Sequence, residues 1–160
     1  MSETNTQATA TAGNRTLAIK KIYTKDLSFE TPNSPDIFLD EWTPEVDIRM
    51  RTDVKPVKDN DSEVVLNVTL TVKLGQRIAY LIEVHQAGIF EASGYGEAEL
   101  EEVLGGQCPQ ILFPYLRETI SDVVTRGGFP PFIMAPMNLE AMFVHQKEQR
   151  AAARAGGQSH

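Results

Sequence analysis

The sequence predicts an α+β fold: a four-stranded antiparallel sheet with helices packed on one face. Three observations carry that prediction. Val46 to Val54 and Val64 to Leu74 alternate apolar and polar residues with the period of a half-buried strand, whereas Cys108 to Arg126 repeats its apolar residues at helical spacing. All the strand-like patterns also precede all the helix-like ones, an order that segregates helices to one side of a sheet. A chain of 160 residues is long enough for one domain with a real core.

Taken in order, Met1 to about Thr16 is polar, Thr- and Ala-rich and has almost nothing to bury, so residues 1–16 are expected to be a disordered tail. It has neither the basic start nor the apolar centre of a signal peptide. The domain proper is expected over residues 17–145, followed by the end of a C-terminal helix and a flexible tail over 146–160. Leu17, Ile19, Tyr23, Leu27 and Phe29 share one parity, with Ile22 on the other, which predicts a first strand with a bulge. The segment TPNSPDIFLDEWTPE holds three prolines and is expected to be an irregular crossing.

The second strand, Val46 to Val54, places Val46, Ile48, Met50, Thr52 and Val54 on one side against Asp47, Arg49, Arg51 and Asp53 on the other. KPVKDNDS is expected to be a hairpin loop. The third strand directs Val64, Leu66, Val68, Leu70, Val72 and Leu74 inward, and Gly75-Gln76 turns tightly into a fourth with Ile78, Tyr80, Ile82 and Val84 inward. That strand leaves Leu81 as an apolar residue on the polar face. GIFEASGYG is expected to be a Gly-marked corner. GEAELEEVLGG then predicts a short acidic helix, and Cys108 to Arg126 a longer one that Pro109 can enter in its first turn and Gly127-Gly128 ends. FPPFIMAPM forbids regular structure yet is largely apolar, and Asn138 is the expected N-cap of a last helix reaching about Arg154.

Composition and motifs exclude several functions. The net charge of −7 argues against nucleic acid and anionic membranes as partners, and no apolar run reaches the length of a membrane span. Cys108 is the only cysteine, so no internal disulfide is possible and a cytoplasmic location is the simpler inference. There is no phosphate-binding loop, no nucleophile elbow and no paired-Cys or His metal pattern. Cys108 just before a helix start is the one candidate for a thiol of lowered pKa, though a small buried apolar residue explains it better. The chain is therefore expected to bind rather than catalyse, with no cofactor and no metal.

What remains is a set of large apolar residues in Pro- and Gly-broken connectors, the adaptable kind of surface that accepts varied apolar partners. The same stretches carry a resemblance. ILFPYLRE, the RGGFP turn and APMNLEAMF resemble the C-terminal half of the SecB family of bacterial protein-export chaperones, and IYTKDLSFE, Trp42 before Pro-Glu-Val, and EVHQAGIF fit the same family in order, over roughly Ala18 to Phe143.

The resemblance implies an ATP-independent holdase. It would bind unfolded secretory precursor proteins in apolar grooves, keep them competent for translocation and deliver them to the motor ATPase SecA. Trp42, Tyr115 and Phe143 match the family's groove-lining aromatics; Phe38, Ile48, Met50, Phe132 and Met142 extend that groove. Asp26, Glu30, Leu81 and Glu83 occupy the positions of the family's acidic SecA-docking surface, with Leu81 as an apolar anchor. Subunit pairing is expected at Ile82, Val84 and Gln86, in a homotetramer built as a dimer of dimers. Two alternatives use the same residues: a SecB-like chaperone of an antitoxin, and a carrier of a small apolar ligand.

Overall fold

The computed structural model describes residues 14–157. Four antiparallel strands, β1 (Thr16–Glu30), β2 (Glu45–Lys58), β3 (Asp61–Leu74) and β4 (Arg77–Ser93), form one sheet in the order β1-β4-β3-β2. The helices follow: α1 (Glu97–Glu102), a wide π-helical turn (Val103–Gln107), α2 (Cys108–Arg126) and α3 (Leu139–Gly156). The first strand begins at Thr16 and Arg15 already pairs with Glu99, while residues 1–13 of the expected N-terminal tail, and the last three residues of the C-terminal one, lie outside the described residues.

The untidy pattern of β1 has a specific cause. The register against β4 slips between Ile19 and Lys21 and again between Thr24 and Asp26, so Lys20 and Lys25 are each bulged out. Each bulge reverses which parity faces inward. Leu17 and Ile19 therefore share the inner face with Ile22, and Leu27 and Phe29 return to it after the second slip, whereas Tyr23 turns outward.

Two connections differ from expectation. KPVKDNDS is not a loop: β2 runs on through Lys58, β3 starts at Asp61, and only Asp59-Asn60 turns, with Asp59 at φ 51°. A left-handed conformation at Asp is affordable because its short polar side chain tolerates it. GIFEAS is strand too, since β4 continues to Ser93, and the corner shrinks to Gly94-Tyr95-Gly96. Gly88 sits mid-strand because an added Cβ would lie 2.7 Å from the Phe90 ring and 3.2 Å from Leu112 of α2. Here the helix lies close against the sheet.

The inner face carries the core. Val64, Leu66, Val68, Leu70 and Val72 of β3 pack with Tyr80, Ile82, Val84 and Phe90 of β4 under Leu112, Leu116, Ile120 and Val124 of α2. This overturns the expected subunit contact. Strand β4 is central, with β1 on one side and β3 on the other, so it has no free edge to offer another chain. Ile82 and Val84 are fully buried within the monomer and Gln86 is nearly so, its Nε2 donating to the Tyr23 carbonyl at 3.1 Å.

The two predicted helices after the sheet are joined through the π-helical turn, where the Cys108 N–H reaches back to the Val103 carbonyl. Pro109 has no N–H to give the Gly105 carbonyl, and Gly105-Gly106 tolerates the wider turn. Cys108 therefore stands inside a continuous helical path, fully buried, and burial pushes its thiol up to about 12. That is the opposite of activation. The later expectations hold: Gly128 ends α2 at φ 88°, and Asn138 caps α3 by accepting from the Ala141 N–H at 2.9 Å.

Candidate functional site

The sheet presents two surfaces of different chemistry. On its outer face, register places Glu30 opposite Leu81, Ser28 opposite Glu83 and Asp26 opposite His85. The second bulge at Lys25 makes this possible, because it resets β1 so that Asp26, Ser28 and Glu30 all turn outward. All four residues predicted for docking are thus brought together on two adjacent strands. Asp26, Glu30 and Glu83 are exposed and Leu81 is half-buried among them. His85 lies 3.0 Å from the Glu83 carboxylate through Nε2. An apolar side chain ringed by carboxylates suits a basic partner that also buries an apolar group.

Farther along the same face the charges are paired. Glu63 accepts from the Tyr23 hydroxyl and from Lys25 Nζ at 2.7 Å; the lysine and then the tyrosine hold its carboxyl below the ordinary range. Burial and the Glu63 contact push the Tyr23 phenol up to about 12. Lys20 bridges Asp61 at 2.9 Å and Glu91 at 2.8 Å. Neutralisation at this end leaves the free negative charge concentrated around Leu81.

The predicted groove residues fall into two groups on the inner side. In the first, Phe38 and Trp42 meet around Phe129, with ring centroids 4.8 Å and 5.8 Å from it. Phe129 is itself buried and also touches Tyr80 at 4.8 Å and Phe29 at 6.4 Å. Two glycines admit these rings: a Cβ on Gly127 would lie 2.3 Å from Phe29, and one on Gly128 3.3 Å from Phe38. Phe132, in the connector that follows, packs partly buried against the core.

The second group lines a trough between the edge strand β2 and α3. Met50, Met142 and Phe143 bound it with Val54 and Leu139, and its volume is about 400 Å³. Gly105 of the π-helical turn lets the Phe143 ring come down, since a Cβ there would sit 2.4 Å from it. Ile48 continues the inward row of β2 beyond the cover of the helices and is 40 % exposed, as are Val46 and Val54 to a similar degree. The strand was expected to be half-buried; being at the sheet's edge, it keeps much of its apolar row open. Tyr115 stands half-exposed on α2, outside the ring cluster around Phe129.

Phe129, one of the large apolar residues in the Pro- and Gly-broken connectors, was not among the groove positions expected from the sequence, although it organises Phe38 and Trp42. Its signal was the Gly127-Gly128 pair immediately before it, which only makes sense if bulky groups approach that backbone. Leu139 tightens the trough from the first turn of α3, where Gln110 clamps the connector by accepting from the Leu139 N–H at 2.7 Å and donating to the Met137 carbonyl at 3.1 Å.

Comparison with known proteins points the same way. The model of the family described as "Preprotein translocase subunit SecB" matches residues 10–150. The chain is 49% identical to the protein-export protein SecB of Nitrosococcus oceani over 98% of its own length and 97% of that protein's. It is 49% identical to the SecB of Methylococcus capsulatus over 91% of each chain. Among solved structures, a Mycobacterium tuberculosis SecB-like chaperone, in complex with a peptide of an antitoxin, superposes with a TM-score of 0.59 at 17% identity, covering 76% of this chain and 90% of that one.

Proposed function

The chain belongs to the SecB family of protein-export chaperones, and from that premise we propose that it holds unfolded secretory precursors on the apolar inner side of its sheet while SecA docks on the acidic outer face. The observation that supports this division most directly is the register: Asp26, Glu30, Leu81 and Glu83 gather on one face, and the open apolar row of β2 lies on the other. Bound client and docked motor then occupy opposite sides of one sheet without competing. The client is held by many weak contacts along an extended chain, which gives avidity with little dependence on sequence. Holding needs no nucleotide, because nothing is released by chemistry.

The cytoplasm is the location this reading requires, since clients must be met before export. No helix among the described residues is long and apolar enough to cross a membrane. Assembly as a homotetramer, a dimer of dimers, belongs to the same reading, but β4 does not supply the contact. The edge strand β1 is the better candidate, because Ile19 and Leu27 on its inward row are 51 % and 43 % exposed.

The test offers the purified protein one slowly folding secretory precursor, chemically unfolded or already folded, and resolves complexes by size. Capture of the unfolded form alone, without ATP, is expected; equal capture of both would overturn the holdase reading. Leu81→Arg and Glu83→Lys are then expected to weaken SecA binding while client capture persists. If both variants bind SecA like the parent, the motor docks elsewhere.

A further inference from the structure

The two bulged residues of β1 are both lysines, and both are tied to carboxylates deeper in the sheet. Lys20 Nζ meets Glu91 of the neighbouring β4 at 2.8 Å and Asp61 of β3 at 2.9 Å. Lys25 Nζ meets Glu63 of β3 at 2.7 Å. Glu63 lies two strands away from β1, about 10 Å across the sheet, so the lysine spans β4 to reach it. Tyr23, two residues earlier, makes the same crossing and donates its hydroxyl to the other Glu63 oxygen. The strand beneath suits that crossing. Ala87 stands between Tyr23 and Val65 in register and has the outward parity of Glu83 and His85, yet it is fully buried and Val65 nearly so. An isolated surface ion pair holds little. This carboxylate, by contrast, is only 14 % exposed and receives two donors from one strand.

We propose that Lys25 and Tyr23, clasped on Glu63, are positioning residues for the docking of SecA: they hold the second bulge in place, and with it the outward turn of Asp26 and Glu30. The register slips between Thr24 and Asp26, so the clasp grips the chain on both sides of Thr24, immediately before the first docking residue. Lys20 holds the first bulge in the same manner, but at the Thr16–Ile19 end, away from the docking residues. This inference rests on the docking reading of the preceding subsection and adds what keeps that surface in register.

The test compares SecA binding and hydrogen exchange in Lys25→Met, Lys25→Arg, Tyr23→Phe and Lys20→Met of the full chain, with Glu83→Lys as reference. Each variant is first checked by circular dichroism and by capture of the unfolded precursor. Charge alone predicts that Lys25→Met tightens the binding of a basic partner, because it removes a positive charge beside the acidic face. Positioning predicts the opposite sign. SecA should bind Lys25→Met roughly three- to tenfold more weakly, exchange over residues 26–30 should quicken by a similar factor, and Lys25→Arg should restore both. Tyr23→Phe removes one donor and no charge, and should move both readouts the same way by a smaller factor. Lys20→Met should bind SecA at least as tightly as the parent, with faster exchange confined to residues 16–19. If Lys25→Met binds SecA as tightly as the parent or tighter while Glu83→Lys binds weakly, the positioning role is overturned and the docking surface stands. A loss in Lys20→Met equal to that in Lys25→Met would trace the effect to a loosened edge and overturn it too. Parent-like binding by Glu83→Lys would overturn the docking reading, and this inference with it.

Discussion

Replacing Gly105 by alanine tests whether α3 is held to the domain by a single ring. The added Cβ would stand 2.4, 2.8 and 2.9 Å from three carbons of Phe143. Carbon atoms pack at about 3.5–4.0 Å, so the ring has to retreat by about 1 Å or more. It belongs to a helix with few other ties: Leu139 is its only buried residue, Gln110 and Asn138 hold its first turn, and Lys147 reaches Glu101 and Glu102 only at 3.4 and 3.7 Å. Overpacking of this kind costs about 1–3 kcal/mol. Alanine also stabilises the helical path by about 1 kcal/mol relative to glycine. Global stability should therefore change by less than about 2 kcal/mol, while the strain falls on the docking of α3. Hydrogen exchange over residues 143–156 is the assay. Each 1.4 kcal/mol taken from docking raises opening about tenfold, so exchange there should rise by roughly tenfold while exchange in β3 and β4 stays near that of the parent. Adding Phe143→Leu should restore part of the protection by removing the clash. Unchanged exchange in α3 together with a raised unfolding midpoint would refute the reasoning, because only the propensity gain would then be expressed.

Two further perturbations probe the interior. Phe129→Ala empties the centre of the ring cluster, where Tyr80 and Phe38 lie 4.8 Å away, and should destabilise the domain by about 3–5 kcal/mol in urea unfolding, with a red-shift in Trp42 emission. A loss below about 1 kcal/mol would mean that the cluster collapses without a cavity. Alkaline pH should unfold the chain earlier than its charge alone suggests. Burial pushes the Cys108 thiol and the Tyr80 phenol each up to about 12, so both stay protonated in the fold while the unfolded chain releases their protons nearer 9 and 10. More protons bound in the folded state means stability falls with rising pH, fully retained below about pH 8.5 and lost towards 12 by at most about 1.4 kcal/mol per pH unit per group. Urea midpoints measured from pH 8 to 11 check this. Cys108→Ala should flatten the part of the slope that begins near 9.

What was legible in the sequence was whatever depends on period and local chemistry. Alternation in Val64 to Leu74 placed the inner row of β3 correctly, and Asn138 and Gly128 marked helix ends because capping and left-handed backbone are properties of one or two residues. The proposed docking residues Asp26, Glu30, Leu81 and Glu83 came from resemblance rather than from period, and register shows only that they share one face. What was not legible depends on the neighbours of a strand. Nothing within YLIEVHQ tells whether the strand that contains it lies at an edge or between two others, so Ile82, Val84 and Gln86 were taken for a contact between chains when they are buried within the monomer. The extent of β2 was misjudged because Pro56 and two lysines read as a loop, yet at an edge a proline gives up no bond the sheet needs.

The same two-residue period that made the strands readable also makes each of them serve both surfaces. On β2, Arg49 and Asp47 belong to the outer face, whereas Ile48 and Met50 belong to the apolar row. On β4, Leu81 and Glu83 face outward on either side of the fully buried Ile82. Neighbours in sequence are thus separated by the thickness of the sheet, and substitutions on opposite faces have few shared partners through which to couple. A one-residue slip in register would exchange the two faces entirely. The bulges at Lys20 and Lys25 fix where β1 lies against β4. They therefore determine which residues meet at the acidic face as much as they shape the strand, and Asp26 and Glu30 share the outer face with Leu81 and Glu83 only because of the second bulge.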